Sequence, residues 1–312
     1  MKVKPDDIKR VKSLGFLYNR GTEDEFNCRV ITENGTLTSE DLEIIAEAAR
    51  KYGNGKVAFT SRMTVEMQGV KYEGIDALIS DLKEHGLITG GTGDKIRPVV
   101  ACKGGTCVFG QVDSADIAKR IHDRFFIGYK NVELPHKFKI AVGGCPNNCV
   151  KPDLNDIGLI GQNMPEIHED ICRGCTKCAV EMNCLMHAPK VVDKKITINR
   201  DICNRCGKCI KKCYFHCLSS KAHGVKILIG GKWGRQGRPG SEINGIYSIE
   251  EALDIIEKAI LVYRENAFKK ERFGDMIERI GHDKIEKMIL SNDTIERKDE
   301  ILALSIKPKE QK

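Results

Sequence analysis

The sequence predicts an α+β protein because strand-like and helical patterns alternate along it and a cysteine-dense block interrupts them. Runs rich in β-branched and aromatic residues alternate with helical apolar faces. Twelve of the 14 cysteines fall into two kinds of metal-ligand spacing. With 41% hydrophobic residues in 312, the chain can build one large or two to three small domains.

The first region, residues 1–92, is predicted to fold in the order β-α-β-α. Residues 26–32 have strand character, and Thr38 with Asp41 forms a capping-box signature before a helical apolar face. Residues 56–68 alternate as a second strand. A second helical face follows and ends at a glycine, which predicts a compact α+β unit.

A glycine-rich link precedes a second region in which each of two strands runs directly into a cysteine pair. The strands are predicted at residues 98–101 and 138–142, with a helix between them. Strand and helix patterns resume at residues 225–229 and at Ser248, so the cysteine-dense block between is predicted to be an insertion. The predicted segments are 1–92, 93–165 together with 222–290, the inserted 166–221, and a frayed tail at 291–312.

Charge and hydropathy exclude some classes of function. The net charge of +7 is spread along the chain without a polybasic tract, so we expect no nucleic-acid partner. The first residues lack the apolar stretch of a signal peptide, and no segment has eighteen apolar residues in a row, so we expect a cytoplasmic protein without a membrane span. In a reducing compartment, many cysteines favour metal or redox sites over disulfides.

The cysteine-dense block twice repeats Cys-x2-Cys-x2-Cys, and each run is followed by a further cysteine. Short turns aim the thiolates at one centre, and two-cluster ferredoxins take each fourth ligand from the other run. Zinc is the alternative, but a third cysteine in each run favours 4Fe–4S clusters. The predicted ligands are Cys172, Cys175, Cys178 and Cys213 for the first cluster, and Cys203, Cys206, Cys209 and Cys184 for the second. Cys217 is the alternative to Cys213.

The remaining pattern is rarer: Cys102-x4-Cys107, followed by Cys145-Pro-Asn-Asn-Cys149. It resembles the siroheme-dependent sulfite and nitrite reductases, whose Cys-x5-Cys and Cys-x3-Cys pairs hold a four-iron cluster. The first pair here is one residue shorter. The resemblance extends to Arg29, Arg62 and the Leu-Pro-His-Lys-Phe-Lys segment at 134–139, and it is particularly similar to the small anaerobic sulfite reductases.

The resemblance implies a sulfite/nitrite reductase ferredoxin-like half domain and a siroheme and 4Fe–4S domain, with a bacterial-type two-cluster ferredoxin domain inserted. It implies siroheme and three 4Fe–4S clusters, one of them coupled to siroheme. The coupled cluster would be held by Cys102, Cys107, Cys145 and Cys149, with Cys149 also bridging to the siroheme iron.

Siroheme carries eight carboxylates and sulfite is an anion, so both require cations in a buried site. By the resemblance, Arg29, Arg97, Lys137 and Lys139 are expected to hold the substrate and deliver protons. Alternation along a strand puts the two lysines on one face. The expected siroheme contacts are Arg62, Lys232, Arg235 and Cys149.

The resulting hypothesis is six-electron reduction of sulfite to sulfide, with electrons entering through the two ferredoxin-type clusters. Nitrite reduction to ammonia is the alternative reaction, and a haem-free polyferredoxin electron carrier is the alternative class. No Gly-x-Gly-x-x-Gly opens a helix after a strand, so the reductant is expected to come from elsewhere. The resemblance implies that it is a ferredoxin or iron–sulfur and flavin/NADH subunits. A single copy of the repeat predicts a homo-oligomer or a hetero-complex.

Overall fold

A computed structural model of the protein describes residues 3–309 and divides them into two units. Unit 1 contains the described residues up to Val100, Ala118–Ile140, and those from Glu257 onward. Unit 2 contains Ala101–Ile117 and Ala141–Ile256. Within the described range, no helix has the length and apolar character needed to cross a membrane.

The chain up to Val100 builds a four-stranded antiparallel sheet in the order β1-β2-β4-β3, with helices packed on it. Alternate residues of β2 are fully buried, namely Phe26, Cys28 and Val30. The elements are α1 (Pro5–Ser13), β1 (Phe16–Tyr18), β2 (Glu25–Val30), α2 (Ser39–Tyr52), β3 (Val57–Phe59), β4 (Val65–Lys71) and α3 (Ile75–Glu84).

The local signals of this region are mostly confirmed. The side chain of Thr38 accepts a hydrogen bond from the Asp41 N–H at 3.1 Å, and the Asp41 carboxylate accepts one from the Thr38 N–H at 2.9 Å. The single strand predicted at 56–68 is wrong, because a turn with Met63 at φ 57° folds it into the β3–β4 hairpin. The predicted β-α-β-α order also missed α1 and β1.

A second sheet has five strands in the order β11-β10-β7-β6-β5. The antiparallel ladder between β7 and β10 runs from Ile157 opposite Ile229 to Ile167 opposite Leu218. The cysteine-dense block leaves from the latter end and contains the separate β8–β9 hairpin. The elements are β5 (Val100–Ala101), α4 (Ser114–Ile121), β6 (Ile140–Gly143), β7 (Ile157–Ile167), α5 (Ala179–Met182), β8 (Pro189–Val192), β9 (Lys195–Ile198), β10 (Leu218–Ile229), β11 (Ser241–Tyr247) and α6 (Ile249–Asn266).

The carboxyl-terminal segment is helical where a tail was predicted. Ile301 is fully buried, and the Lys269 N–H donates to the Lys307 carbonyl oxygen at 2.8 Å. The frayed tail is therefore wrong for residues 293–307, because two short helices form there and the buried Ile301 holds the second one against its unit. Residues 310–312 lie outside the described range. The helices are α7 (Phe273–Ile280), α8 (His282–Leu290), α9 (Asp293–Glu296) and α10 (Lys298–Ala303).

Candidate metal centres and cation cluster

The two rare cysteine pairs of unit 2 follow the ends of β5 and β6. The Cys102 N–H donates to the Val142 carbonyl oxygen at 3.2 Å, and the Cys102 sulfur accepts from the Gly144 N–H at 3.1 Å. Pairing of the two strands thus places the first cysteine pair beside the second, although some 40 residues separate them along the sequence.

The four thiols of these pairs lie close enough to influence one another. Burial raises the pKa of the Cys145 thiol, and the nearby Cys102, Cys149 and Cys107 raise it further. Cys145 is buried, whereas Cys149 is exposed. Four gathered thiols are a donor set that fits a 4Fe–4S cluster, and one of them is accessible to a further group.

The loop of the second pair is shaped by left-handed residues. Asn148 has φ 56° and Lys151 has φ 49°. The Asn148 side-chain amide donates to the Asp153 carboxylate at 2.8 Å. This contact holds the turn between Cys145 and Cys149.

The glycine-rich loop that carries Lys232 and Arg235 is anchored beside the same turn. The Gly240 N–H donates to the Asp153 carbonyl oxygen at 2.7 Å. Lys232 and Arg238 close the loop through a pair of backbone hydrogen bonds of 3.0 and 2.8 Å. Lys232 is half-buried and Arg235 is exposed.

The second run of the cysteine-dense block gathers around one cavity. Burial raises the pKa of the Cys209 thiol to about 11, and the thiols of Cys203, Cys206 and Cys184 contribute to the shift. All four line a cavity of about 140 Å³. Cys184 therefore lies with the second run, the exchange of ligands that the sequence pattern predicts.

The first run packs around a buried sulfur. Cys172, Cys178 and Cys213 pack against the apolar cluster that contains Cys217, and the Cys217 sulfur is 3.3 Å from that of Cys213. Cys175 is half-buried in the same run.

Cys213 and Cys217, the two candidates for the fourth ligand of the first cluster, have different environments. Burial raises the pKa of the Cys213 thiol, but hydrogen bonds from Cys217 and from the Phe215 and His216 backbone outweigh it, so the net shift is downward. The pKa of Cys217 is instead raised to about 12, first by burial. Because iron binds the thiolate, these environments favour Cys213 as the ligand.

Unit 1 gathers guanidinium groups. Burial lowers the pKa of Arg97 to about 10, and the positive charges of Arg29 and Arg272 lower it further. One terminal nitrogen of Arg97 donates to the Gly91 carbonyl oxygen at 2.6 Å, while its buried Nε has no hydrogen-bond partner among the described residues. Arg29 is paired with Glu66 at 3.1 Å. Like charges held together with an unsatisfied buried donor fit an anion.

Arg272, which precedes α7, was missed by sequence reasoning. It is buried, yet nearly 180 residues separate it from Arg97 along the chain. No local pattern signals such proximity.

Lys137 and Lys139 flank the fully buried Phe138. The Arg97 N–H donates to the Phe138 carbonyl oxygen at 2.8 Å, and Ile96 lies opposite Phe138 in a parallel bridge. Because side chains alternate, both half-buried lysines leave the backbone on the face opposite Phe138.

Arg62 is engaged by the backbone of its own unit. One terminal nitrogen of its guanidinium donates to the Ile140 carbonyl oxygen at 3.0 Å and also to that of Pro98. Arg62 thus joins two chain segments, and its expected contact with siroheme stays a prediction.

Paired cysteines at strand ends on a mixed α/β fold define an iron–sulfur protein. Residues 18–85 match the nitrite/sulfite reductase ferredoxin-like half domain, and residues 92–296 match the nitrite and sulphite reductase 4Fe-4S domain. The chain belongs to the nitrite and sulfite reductase family. The predicted combination of half domain and 4Fe–4S domain is confirmed.

Among curated proteins, the chain is 35% identical over 253 residues to the coenzyme F420-dependent sulfite reductase of Methanocaldococcus jannaschii, covering 80% of this chain and 40% of that protein. It is 27% identical over 164 residues to a subunit of the anaerobic sulfite reductase of Salmonella typhimurium, covering 46% of this chain and 45% of that relative. The chain thus spans less than half the length of either relative in these matches.

Two solved structures share the fold. A dissimilatory sulfite reductase I superposes with a TM-score of 0.68 at 20% identity, covering 86% of this chain and 69% of that one. The NirA protein of Mycobacterium tuberculosis superposes with a TM-score of 0.64 at 15% identity, covering 99% of this chain and 49% of that one.

Proposed function

We propose that this chain is the siroheme-binding catalytic part of a sulfite reductase, which reduces sulfite to sulfide with six electrons. The observation that carries the proposal is the half-buried Arg97 guanidinium, held near Arg29 and Arg272 with an unsatisfied Nε. A group of guanidinium cations of this kind suits an enzyme that binds an oxyanion. The relatives named sulfite reductase support the choice of substrate.

The cofactor side of the proposal uses unit 2. Cys102, Cys107, Cys145 and Cys149 would hold a 4Fe–4S cluster, and the exposed Cys149 would also reach the siroheme iron. Lys232 and Arg235 would bind siroheme carboxylates. Siroheme and its cluster supply the electron transfer to the substrate's sulfur when bound.

The substrate side uses unit 1. Arg29, Arg97, Lys137 and Lys139 would bind the anion and screen its charge while oxygens leave as water. A pKa of about 10 keeps Arg97 protonated near neutral pH, so it holds the anion as a permanent cation. The two lysines, which carry transferable protons, would protonate the leaving oxygens.

The electron route would pass through an inserted two-cluster ferredoxin domain, whose cysteine sets follow one another along β7. Gly161 approaches the Gly144 carbonyl that precedes Cys145, and Asn163 pairs with Cys206 two residues further. At ~3.3 Å per residue, these contacts are ~7 Å apart along the strand.

Two further contacts support the placement of the second cysteine set next to the coupled pairs. Asn147, within the Cys145–Cys149 loop, lines the cavity of the second set. The Lys208 ammonium, within that set's run, lies 4.0 Å from the ring centroid of Phe109. The first set lies beyond Ile167, the last residue of β7, which is ~13 Å along the strand from Asn163. There the His168 N–H donates to the Cys217 carbonyl oxygen. The second set would therefore relay electrons from the first set to the coupled cluster.

Partner subunits complete the proposal. One relative is named as a subunit, and the described chain contains neither a flavin nor a nicotinamide fingerprint. The electrons would come from a ferredoxin or from iron–sulfur and flavin/NADH subunits, in a homo-oligomer or hetero-complex.

Nitrite reduction is the second candidate, since the matching family models cover both reactions and a ferredoxin–nitrite reductase of Leptolyngbya laminosa is 25% identical over 162 residues. The test is expression in a siroheme-producing host, followed by absorption spectra and turnover with reduced methyl viologen. A chlorin-type band and faster sulfite than nitrite turnover at matched saturation are expected. Faster nitrite turnover would reverse the order, and an iron–sulfur spectrum without the chlorin band would leave the electron carrier.

A further inference from the structure

The first cysteine set, Cys172, Cys175, Cys178 and Cys213, lies furthest along β7 from the coupled pairs, so its surroundings are where electrons would enter. The block from residue 168 to 217 contains ten Lys and Arg but only five Asp and Glu, so it is strongly cationic. A surface of one sign attracts partners of the other sign over several ångströms.

The cations concentrate around this set. Arg173, Lys177 and Lys212 are sequence neighbours of its cysteines, and all three are exposed. None of the three makes a side-chain hydrogen bond or ion pair within residues 3–309.

The β8–β9 turn adds to the same face. Lys194 has a left-handed backbone with φ 60°. Its carbonyl group lies so close to Gly174 that a Cβ at position 174 would collide with it. The Lys195 ammonium donates to the Cys172 carbonyl oxygen at 3.2 Å. The carboxylates nearby, Glu169, Asp170 and Asp193, are fewer than the cations and leave the face positive.

An exposed aromatic pair directly follows Lys211, Lys212 and Cys213 along the chain. Tyr214, next to Cys213, is 86% exposed, and it meets Phe215 edge to face with ring centroids 5.3 Å apart. Aromatic side chains are enriched in the buried centres of protein interfaces, where they anchor the partner, while charges at the rim steer its approach.

We propose that the surface formed by Arg173, Lys177, Lys194, Lys211, Lys212 and Tyr214 docks an acidic iron–sulfur carrier protein. This entry surface rests on the proposed function, since it assumes that electrons arrive at the first set. At each encounter the reduced carrier is oxidised by one electron and the first set is reduced by one, so six encounters serve one sulfite. Charge attraction speeds association, and Tyr214 becomes buried in the complex.

The test measures binding with a defined probe, a plant-type 2Fe–2S ferredoxin of high negative charge. The full chain, with its clusters, is titrated at low and at high salt, with the basic cytochrome c as the opposite-charge control. We expect the ferredoxin to bind at low salt, to lose most of its affinity at high salt, and cytochrome c not to bind. Equal binding of both proteins, or ferredoxin binding that ignores salt, would overturn the entry surface.

Matched variants locate the contact. Lys211→Glu with Lys212→Glu is expected to weaken ferredoxin binding at least tenfold. Lys83→Glu with Lys284→Glu changes the net charge by the same amount at exposed positions of unit 1 and is expected to change ferredoxin binding less than twofold. Equal losses in both double variants would mean that net charge alone drives binding and would reject the entry surface.

Turnover with methyl viologen separates this inference from the proposed function. Viologen needs no docking surface, so the Lys211 and Lys212 double variant should keep wild-type viologen turnover and iron content while losing ferredoxin binding. If the wild type shows no viologen-driven sulfite reduction, the proposed function fails. Loss of viologen turnover or iron in the double variant alone would show a structural role for these lysines and reject the entry surface.

Discussion

Unit 1 and unit 2 gather opposite kinds of chemistry in the same way. Unit 2 brings together thiols: burial raises the pKa of Cys145 and of Cys209, and neighbouring thiols raise it further. Unit 1 brings together guanidinium groups: burial lowers the pKa of Arg97, and neighbouring cations lower it further. In each unit, groups that carry or can acquire the same charge lie close together, although repulsion between those charges opposes this arrangement.

The comparison supports the proposal that each region binds a ligand of opposite charge. Thiolates gathered in unit 2 become favourable when iron cations bind, and guanidinium groups gathered in unit 1 become favourable when an anion binds. On the proposed function, each region would therefore be less stable without its ligand than with it.

The largest effect is expected from Cys149→Ser, which removes one thiolate from unit 2. We expect loss of the chlorin band and of sulfite turnover, with about five of roughly thirteen irons lost, because a 4Fe–4S cluster needs all four ligands and the siroheme iron leaves with it. Absorption spectra and iron analysis measure this. Cys28→Ala, at a fully buried core thiol, is the control and should keep its iron. Full iron content in Cys149→Ser would remove Cys149 from the ligands.

Arg97→Met tests the counter-charge in unit 1. Removing a cation from a desolvated anion contact costs about 2–5 kcal/mol, so we expect kcat/KM for sulfite to fall on the order of 100-fold. Thermal stability should rise or stay equal, because the cost of burying the guanidinium and the repulsion from Arg29 and Arg272 are both relieved. Arg50→Met, at an exposed position on α2, should change neither. A loss of stability in Arg97→Met would contradict the comparison.

Gly161→Ala tests how unit 2 positions its pairs. A Cβ at Gly161 would collide with the Gly144 carbonyl oxygen beside Cys145, and overpacking of this kind costs about 1–3 kcal/mol. We expect a lower unfolding temperature and iron loss from the coupled set. Gly74→Ala, with its nearest neighbour 3.8 Å away, is the matched control. Equal behaviour of the two variants would show that β7 does not set the position of the pair.

The smallest effect is the pH dependence of the repulsion in unit 1. Because the pKa of Arg97 in the folded chain is about 10 and lies below its usual value, the unfolded chain binds more protons between these values. The repulsive cost therefore decreases as pH rises through about 10, and the stability difference between Arg97→Met and wild type should narrow. Chemical denaturation at about pH 9 and about pH 11 measures it. A constant difference would mean that Arg97 does not titrate there.

Local chemistry was readable from the sequence where the interacting groups are neighbours along the chain. Thr38 and Asp41 of the capping box are three positions apart, and both of its hydrogen bonds are present. The cysteine runs likewise predict a grouping, because the three cysteines of each run are neighbours along the chain; their binding of clusters stays a prediction. The β3–β4 hairpin was missed because its turn depends on the left-handed Met63, which residue type does not disclose.

The sequence by itself determined the kinds of ligand in this protein, since thiol spacing within a short run sets which sulfurs can share a centre. It also determined the family, through motifs that lie within short segments. Only the tertiary structure decided that Arg272 lies near Arg97, that β7 aligns the sulfur sets, and that Cys213 differs from Cys217 in its pKa. These depend on burial and on contacts between distant residues, which strand pairing and packing create and local sequence does not encode.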